Sequence, residues 1–438
     1  MITEIMSAAL NAVDPYEAVC CHLHRQGNNL LIGDRLYSLN NFKRIFLIGV
    51  GKASVPMAEA AIKTIGELIT SGVIITKRGH LQPGVSFPSN IEIVQAGHPL
   101  PDEDGIEASW RIIQLLRKTS STDLVICLIS GGGSALMTYP KPGISPQEIQ
   151  ELTSNLLACG ATIEEINTLR KHIDQVKGGG LVAQAPSTQW VSLILSDVIG
   201  DPLDRIASGP TAPDPSTYQD AFEVLEKYHL LEKTPGTIIN HLWLGIRGQI
   251  PETLKPESPV FEHVNNLIVG NNSLVAEAAL HQAKKFSLNT LLLTTSAQGE
   301  ASQIGIFLAS IVQQIERSNQ PLPRPACVVV GGETTVKLHG TGLGGRNQEL
   351  ALGAVSQMAG LKDTFLISLA TDGGDGPTDA AGAVVTGETL SRSLILGMNS
   401  AVYLKNNDSY HFFSALDDLL KPGPTLTNVG DLIFLFAL

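Results

Sequence analysis

The stretch LVICLISGGGSALM, residues 124–137, decides the fold class. It opens with an unbroken apolar run, which is the pattern of a strand buried on both faces of a parallel sheet. Three consecutive glycines follow the run, and a helical pattern begins at Ser134. A strand, a glycine-rich turn and a helix in this order predict a βαβ unit and therefore an α/β fold.

The same order recurs along the chain. IFLIGVG (45–51) and VSLILS (191–196) are further apolar strands followed by glycine- or aspartate-bearing turns. A second series of strands and helices begins at NNLIVGNN (265–272). Because strands alternate with helical segments throughout, we predict a mostly parallel sheet in the first half.

The length of 438 residues favours two domains. GQIPETLKPESPVFE (248–262) is rich in Pro and Glu, which is typical of a connection between domains. We predict a boundary in 235–260, with one domain over 1–235 and another over 236–438.

The composition excludes several classes of function. The net charge is −12, and no basic cluster exceeds a pair of residues, which argues against nucleic acid as a partner. The five cysteines lack C-x-x-C spacing, so neither a zinc site nor a disulfide framework is indicated. The N-terminus lacks the pattern of a signal peptide, and no apolar run is long enough to span a membrane. We therefore expect a cytoplasmic protein without a membrane partner, and a homodimer is one option for its assembly.

Two glycine-bearing turns in the first half favour anion binding. In GVGKAS (49–54), Lys52 stands between a strand and a helix, where N–H groups and the helix dipole attract anions. The spacing is neither a P-loop nor a full dinucleotide fingerprint, since Ala53 follows the lysine and Ser54 takes the third glycine position. In SGGGSA (130–135), three glycines allow close approach and offer N–H groups for a phosphate nest. The alternatives are a solvated lysine and a merely tight turn.

Carboxylates follow the strands in several places. In LSDVIGDPLDRIASGPT (195–211), Asp197 comes directly after a strand and could hold Mg²⁺ or act as a general base. In ATDGGDGPTDAAGAVV (370–385), Asp372 and Asp375 crowd a glycine-rich turn. Helix capping and Asx-turns are the alternative explanations.

A second glycine-rich loop lies in VVVGGETTVKLHGTGLGGRNQELAL (328–352). Arg346 begins a predicted helix, where the macrodipole disfavours a cation unless an anion joins it. Arginine is also the preferred bidentate clamp for phosphate. The histidines, including His98 and His172, show no metal-ligand spacing, and we interpret them as ordinary surface or core residues.

Together these blocks resemble the glycerate kinases of the glycerate 2-kinase type, the MOFRL family. The matching stretches, in chain order, are GVGKAS, GHPLPDEDG (97–105), LISGGGSAL, INTLRKHIDQVKGGGLV (166–182), LILSDVIGDPLDRIASGPT, VVVGGETTVKLHGTGLGGRNQELAL and ATDGGDGPTDAAGAVV. The resemblance implies two three-layer α/β/α domains, the first Rossmann-like, with the active site in the interdomain cleft. It also implies ATP-dependent, Mg²⁺-assisted phosphorylation of D-glycerate, usually to 2-phosphoglycerate. The family's C-terminal segment would begin near Cys327.

The resemblance places the family's functional lysine and arginine on Lys52 and Arg346. Our hypothesis counts as catalytic Lys52, Arg346 and Asp197. It assigns ATP contacts to Ser130, Gly131, Gly132, Gly133, Ser134, Gly331 and Gly332. It assigns D-glycerate contacts to Arg170, Lys177 and Asn347. It assigns Mg²⁺ contacts to Glu333, Asp372 and Asp375.

Two other functions remain open at this stage. An NAD(P)H-dependent hydroxypyruvate reductase would use GVGKAS with Lys77–Arg78 after the next strand, but the third glycine is missing. A small-molecule or nucleotide sensor would explain glycine loops but not the accompanying carboxylates. ADP release with glycerate would identify the kinase.

Overall fold

The computed structural model describes residues 1–81 and 84–438. The strands are β1 Leu23–Gln26, β2 Asn29–Ile32, β3 Arg35–Ser38, β4 Arg44–Val50, β5 Ile69–Lys77, β6 Ile91–Ala96, β7 Asp123–Ile129, β8 Gln189–Leu195, β9 Val264–Gly270, β10 Asn289–Ala297, β11 Ala326–Gly332, β12 Thr364–Ala370, β13 Gly382–Thr386, β14 Leu419–Leu420 and β15 Asp431–Ala437. The helices are α1 Ile2–Asn11, α2 Pro15–His22, α3 Ser54–Ile65, α4 Glu103–Leu116, α5 Gly133–Leu136, α6 Pro146–Ala158, α7 Ile163–Ile173, α8 Gly180–Ala183, α9 Tyr218–Lys227, α10 Gly236–Ile246, α11 Asn272–Lys285, α12 Ala301–Ser318, α13 Arg346–Met358, α14 Thr389–Ile395, α15 Ser400–Lys405 and α16 Ser409–Leu416. Short 3-10 helices cover Leu39–Asn41, Gly66–Leu68, Ile206–Ser208, Leu231–Lys233 and Pro259–His263.

The chain divides into two compact units. The central unit comprises Pro15–Ser196 and Asp201–Val269. The terminal unit comprises Met1–Asp14, Asp197–Gly200 and Gly270–Leu438. The predicted α/β class with two domains is thereby confirmed.

The main boundary lies at 269/270, whereas the sequence placed it at 235/236. The helix α10 packs its buried Ile238 and Leu242 into an apolar cluster with α6, α7 and α9, so it belongs to the central unit. The Pro- and Glu-rich stretch is also anchored there, because His172 Nε2 lies 3.0 Å from Glu252 Oε1. The composition of this stretch suggested a connection between domains, but its side chains pack and form hydrogen bonds within the central unit.

The six-stranded sheet of the central unit has the order β6-β5-β4-β7-β8-β9. Strand β4 pairs in parallel with β5 and β7, and β5–β6 and β7–β8 are also parallel. Numbered from β4, this is the 3-2-1-4-5-6 order of doubly wound nucleotide-binding sheets. In such sheets ligands bind at the carboxyl ends of the strands where the order reverses, which here is between β4 and β7.

The strand β7 shows why the sequence folds this way. Every residue of Asp123–Ile129 is buried, so the unbroken apolar run has a buried sheet face on either side. Local sequence signals mark where helices begin. Helix α6, for example, begins with a capping box in which Ser145 and Glu148 accept hydrogen bonds from each other's backbone N–H groups. A separate three-stranded antiparallel sheet, β1-β2-β3, completes the strands of the central unit.

The six-stranded sheet of the terminal unit has the order β10-β11-β15-β12-β13-β14. Only β10 and β11 pair in parallel among its described pairs; the other pairs are antiparallel. Val328 and Val330 of β11 face a core built with α12 and α13, and α11 packs on the opposite face. The insertion of β15 between β11 and β12 brings Asp431 beside Gly332 and Ala370.

Within the described ranges 1–81 and 84–438, no helix combines the length and apolar character needed to cross a membrane.

Candidate active site

The turns after β4 and β7 form one continuous structure. The N–H of Lys52 donates to Gly131 O at 2.9 Å, and the N–H of Ala53 donates to Ser130 Oγ at 3.0 Å. Gly51 has φ +126°, and a Cβ added there would lie 2.1 Å from Ser130 Oγ. Glycine is therefore required at this turn, and the predicted lysine and SGGGS motifs meet at the switch point of the sheet.

The SGGGS loop has the geometry of an anion nest. Gly132 is left-handed, with φ +83°, and directly precedes α5. The N–H groups of Gly131 and Gly132 donate to no other group in the described part of the chain. Ser134 Oγ is hydrogen-bonded to Ser208 Oγ, which in turn donates a hydrogen bond to Asn167 Oδ1 at 3.0 Å. Two backbone donors are thus available to a ligand, while Ser134 is engaged in a fixed hydroxyl chain.

Lys52 and His98 lie beside this loop. The Lys52 ammonium makes no hydrogen bond or ion pair with the described residues. His98 lies beside it: a Cβ added at Gly132 would be 3.1 Å from His98 Cδ2 and 3.3 Å from Lys52 Cγ. Burial lowers the pKa of His98 to about 4, and neighbouring groups act in the same direction. These groups are Lys52, Lys77, His80 and Arg170.

Arg170 and Lys177, both expected to contact substrate, lie in different surroundings. Lys177 Nζ is buried and donates to Asp174 Oδ2 at 2.7 Å, Thr138 Oγ1 at 3.0 Å and Met137 O at 3.1 Å. All three of its donors are used, so the structure gives Lys177 a structural ion pair in place of the expected substrate contact. Arg170 has no such partner among residues 1–81 and 84–438.

A small cavity opens beside Arg170. It is lined by Pro101, Ser134, Thr138, Ile149, Arg170, Ile173, Asp174 and Lys177. Burial lowers the pKa of Arg170, although the charge of Asp174 opposes this effect. The cavity therefore joins the end of the SGGGS loop to a guanidinium that lacks a hydrogen-bonding partner.

In the terminal unit, Arg346 is held by carboxylates. Its Nε and Nη2 donate to Asp431 at 2.6 and 3.0 Å, and its Nη1 lies 2.9 Å from Glu333 Oε1. Burial opposes the charge of Arg346, but the hydrogen bonds and charge of Asp431 outweigh it and raise the pKa of the guanidinium. The sequence indicated that an anion joins this helix-start cation; the structure supplies Asp431, which sequence reasoning missed.

Asp375 caps the N-terminus of α13. Its Oδ1 accepts the N–H of Asn347 at 3.1 Å, and its Oδ2 accepts the N–H of Gln348 at 2.9 Å. Burial raises the pKa of Asp375 to about 6. Because both oxygens accept helix N–H groups, this residue caps the helix in place of the metal role expected for it.

Asn347 is likewise engaged in the protein. Its Nδ2 donates to Asp431 Oδ1 at 2.9 Å, and its Oδ1 accepts from Ser368 Oγ at 2.6 Å. It is buried, so the structure gives it an orienting role where a substrate contact was expected. Asp372, which follows β12, accepts the N–H of Gly374 at 3.1 Å.

The structure does not assemble Glu333, Asp372 and Asp375 into one metal cluster. Among the residues it describes, no group of three or more His, Cys, Asp or Glu side chains is arranged to hold a metal ion. Asp197 directly follows Ser196, is half-buried and is grouped with the terminal unit.

Gly331 and Gly332 have a packing explanation. A Cβ at Gly331 would lie 1.6 Å from Asn272 Oδ1, and one at Gly332 would lie 2.2 Å from Ala297 O. The close approach of α11 and β10 thus requires glycine here, whether or not a nucleotide binds nearby.

Hydrogen bonds to Asn407, a residue that sequence reasoning missed, hold the loop before Arg346 in place. Asn407 Oδ1 accepts the N–H groups of His339 at 2.7 Å and Gly340 at 3.0 Å, and Asn407 Nδ2 donates to Glu349 Oε1 at 3.1 Å. A Cβ at Gly342 would lie 2.4 Å from Asp408 Cβ, so the glycine-rich composition reflects this packing. Burial raises the pKa of Glu349 to about 7.

Comparison with known proteins agrees with this architecture. A family model described as a domain of unknown function, DUF4147, matches residues 1–243, and the MOFRL family model matches residues 326–431. The D-glycerate 2-kinase of Thermotoga maritima is 45% identical over 393 residues, which is 90% of each chain. The glycerate 2-kinase of Pyrococcus horikoshii is 39% identical and covers 98% of this chain and 95% of its own.

A crystal structure of glycerate kinase from Thermotoga maritima has a TM-score of 0.87 at 42% identity, covering 99% of this chain and 98% of that one. A relative from Agrobacterium vitis, 35% identical over 99% of this chain and 93% of its own, is named a putative hydroxypyruvate reductase. The C-terminal segment expected near Cys327 is confirmed by the MOFRL match. The chain therefore belongs to the MOFRL family of glycerate kinases.

Proposed function

We propose that this protein transfers the γ-phosphoryl group of ATP to the 2-hydroxyl of D-glycerate, producing 2-phosphoglycerate and ADP. The observation that carries the proposal is the anion nest at the switch point of the central sheet. There, two glycine N–H groups and the Lys52 ammonium have no partner within the described chain, and the Lys52 side chain lies against Gly132 beside a doubly wound sheet. The names of the relatives supply the substrate.

Phosphoryl transfer requires positioning and charge neutralisation more than covalent chemistry. The N–H groups of Gly131 and Gly132 would bind phosphate oxygens, and Lys52 would neutralise charge on the transferred group. In the terminal unit, Arg346 is oriented by its two hydrogen bonds to Asp431 and would bind an anionic group of a ligand. Its side chain keeps 33% of its surface exposed, so a ligand can reach it.

Mg²⁺ in kinases is bound by one or two carboxylates together with substrate phosphates, so a complete protein cage is not required. Asp372 fits this need, because it is half-buried after β12 and its Oδ1 accepts only a local N–H. We assign the metal to Asp372 together with Asp197, which lies in the same unit. The ion would neutralise phosphate charge; Asp375 is excluded because it caps α13.

The reductase alternative gains no support from a specific contact. The third position of the dinucleotide fingerprint is Ser54, which is buried and donates its Oγ to Ile75 O at 2.9 Å. A glycine there would permit closer helix–strand packing around a dinucleotide. We therefore expect no oxidation of NADPH in the presence of hydroxypyruvate.

The test combines a coupled ADP assay with ³¹P NMR of the product. Wild-type protein with ATP, Mg²⁺ and D-glycerate should yield 2-phosphoglycerate. Lys52→Ala should lower kcat by about 100-fold or more, because a preorganised positive charge at the transferred group is lost. Lys43→Ala is the matched control, since Lys43 is exposed and its side chain has no described partner. NADPH oxidation without ADP release would contradict the proposal, and so would unchanged turnover of Lys52→Ala.

A further inference from the structure

Arg170, on α7, and His98, in the loop after β6, are half-buried side chains of the central unit that make no hydrogen bond with residues 1–81 and 84–438. They share this property with Lys52. Both lie beside the SGGGS loop: His98 borders Gly132, and Arg170 lines a cavity together with Ser134. The sequence led us to expect a D-glycerate contact for Arg170, whereas His98 was interpreted as an ordinary surface or core residue.

Arg170 is an exception among its neighbours. Lys171, the next residue, is buried and lies 2.7 Å from Asp214 Oδ1. Lys177 is buried and lies 2.7 Å from Asp174 Oδ2. Proteins rarely desolvate a cation without such a partner, because the lost hydration must be replaced. The guanidinium of Arg170, with five planar donors, therefore calls for an anion from outside the chain.

His98 approaches the SGGGS loop at Gly132. Its Nε2 lies 3.2 Å from the position that a Cβ at Gly132 would take, so the ring edge borders the SGGGS loop. The groups that act on it electrostatically are Lys52, Lys77, His80 and Arg170, and no carboxylate is among them. An imidazole in such surroundings stays neutral and can accept a hydrogen bond at neutral pH.

We propose that Arg170 and His98 form the subsite for a 2-hydroxycarboxylate, in which Arg170 binds the carboxylate and His98 accepts the hydrogen bond of the adjacent hydroxyl. A 2-hydroxyl is attached to the carbon that carries the carboxylate, whereas a 3-hydroxyl is one carbon further away. Both side chains border the SGGGS loop, His98 at Gly132 and Arg170 in the cavity lined by Ser134, so this loop would hold the phosphate donor beside the 2-hydroxyl. This inference rests on the proposed function.

The chemistry of the step balances within this arrangement. As the bond between the 2-hydroxyl oxygen and the γ-phosphorus forms, the bond from that phosphorus to the β,γ-bridging oxygen breaks. The electron pair of the broken bond leaves with ADP. The hydroxyl proton passes to a nitrogen of His98 and then to solvent. The charge repulsion on the resulting imidazolium is offset by the anionic reactants bound beside it.

The first experiment measures Arg170→Gln and Arg170→Lys in the full-length protein. We expect KM for D-glycerate to rise by about 30-fold or more in Arg170→Gln, since a bidentate ion pair is worth roughly 2–3 kcal/mol, while KM for ATP changes less than about 3-fold. Arg170→Lys should recover part of the glycerate affinity. Arg247→Gln is the control, because Arg247 is exposed in the same unit and stacks on Trp243.

A stability measurement separates a ligand-binding role from a structural one. Arg170→Gln should unfold at the same or higher urea concentration than wild type, because it removes a desolvated cation without a partner. Lys171→Met should unfold at lower urea concentration, because Asp214 loses its counter-charge. Destabilisation of Arg170→Gln comparable to that of Lys171→Met would overturn the inference.

The second experiment replaces the imidazole. His98→Asn should lower kcat by about 100-fold, with KM for ATP within about 3-fold of wild type, since proton acceptance commonly contributes 10²–10⁴-fold. His263→Asn, outside this loop, should retain wild-type rates. A glycerate KM within 2-fold of wild type in Arg170→Gln, or an equal rise in the KM for ATP, would contradict the subsite. If the wild-type protein itself released no ADP with glycerate, the proposed function would fail first, so the two failures are distinguishable.

Discussion

Arg346 is the first residue of α13, a position where a positive charge opposes the helix dipole. The sequence predicted that an anion would accompany it, and the structure supplies Asp431, with Asp375 accepting the first helix N–H groups. The prediction of an anion was correct, but its source is the protein. Sequence reasoning could not find Asp431, because a lone aspartate before an apolar strand gives no sign of its neighbours in space.

Replacement of Asp431 by Asn tests whether the orientation of Arg346 matters. The amide keeps the shape of the side chain but loses the charge and turns one acceptor into a donor. We expect kcat to fall by about 10- to 100-fold with the fold retained, as judged by circular dichroism. Asp363→Asn, at an exposed position of the same unit, should retain full activity. An unchanged kcat in Asp431→Asn would show that Arg346 needs no orienting carboxylate.

Glu349 makes stability depend on pH. Its pKa in the folded protein is about 7, above its ordinary value of 4.5, so the folded state retains a proton that the unfolded chain releases. The free energy of unfolding should therefore fall as pH rises from about 4.5 to 7, by up to ~3 kcal/mol. Glu349→Gln should remove this pH dependence. The difference in unfolding free energy between the variant and wild type near pH 4.5 serves as the baseline. At pH 8 the variant should be more stable relative to wild type than it is at this baseline. Urea denaturation at both pH values measures the difference, and a constant difference would contradict the assignment.

Replacement of Lys177 tests whether this lysine has a structural role or binds a ligand. Its removal in Lys177→Met leaves the buried Asp174 carboxylate without a counter-charge, which should cost about 3–5 kcal/mol of unfolding free energy. The double variant Lys177→Met/Asp174→Asn should recover much of that loss. Chemical denaturation tests both. If Lys177→Met instead raised the KM for glycerate without a loss of stability, the original substrate role would stand.

At the scale of elements, apolar runs were reliable guides, whereas a glycine-rich composition could not by itself distinguish ligand binding from close packing. β4, β7 and β8 are continuous apolar segments, so their burial could be predicted from composition alone. The antiparallel insertion of β15 could not be predicted in this way, because strand order depends on pairing between segments far apart in sequence. The loop before Arg346 suggested phosphate, whereas its glycines at 340 and 342 make room for residues 406–408.

That loop gives a prediction at the same scale. Asn407 accepts two loop N–H groups and is left-handed, with φ 52°, whereas Asn406 Oδ1 accepts one N–H, that of Thr341 at 3.3 Å. Asn407→Ala should lower stability by about 2–3 kcal/mol and lower kcat, because buried donors lose their acceptor and the loop before Arg346 loosens. Asn406→Ala, the matched variant, should cost less than about 1 kcal/mol. Equal effects of the two variants on kcat and thermal unfolding would exclude a special role for Asn407.

At the scale of the whole molecule, two domains were predicted correctly, and the contacts within the chain divide it at 269/270 rather than at 235/236. Composition marks where a chain is polar or rich in proline, but a domain limit depends on which surfaces pack together. α1 packs on α11, and Thr427 Oγ1 donates to Val13 O at 2.8 Å, so the first residues belong with the last. No local pattern near residue 10 carries that information.

Removal of residues 2–11 tests this division. The terminal unit should lose stability, because the buried Ile5 and Ala9 of α1 no longer cover α11. Hydrogen exchange followed by mass spectrometry should show faster exchange in α11 and β15, with β4 and β7 unchanged. Uniformly faster exchange in both units would contradict the division. Exchange unchanged in α11 would show that α1 contributes little to its packing.

The same division has a consequence for synthesis on the ribosome. α1 is translated more than 250 residues before α11, its packing partner, so at roughly 5–20 residues per second it waits about 13–50 seconds. During that interval the apolar face of α1 is exposed, while the central unit is completed behind it. The nascent chain therefore carries an unshielded amphipathic helix until α11 is made, and such a segment is the kind that holding chaperones bind. Slowed translation should lengthen that exposure, and a circular permutant that begins at residue 270 should shorten it.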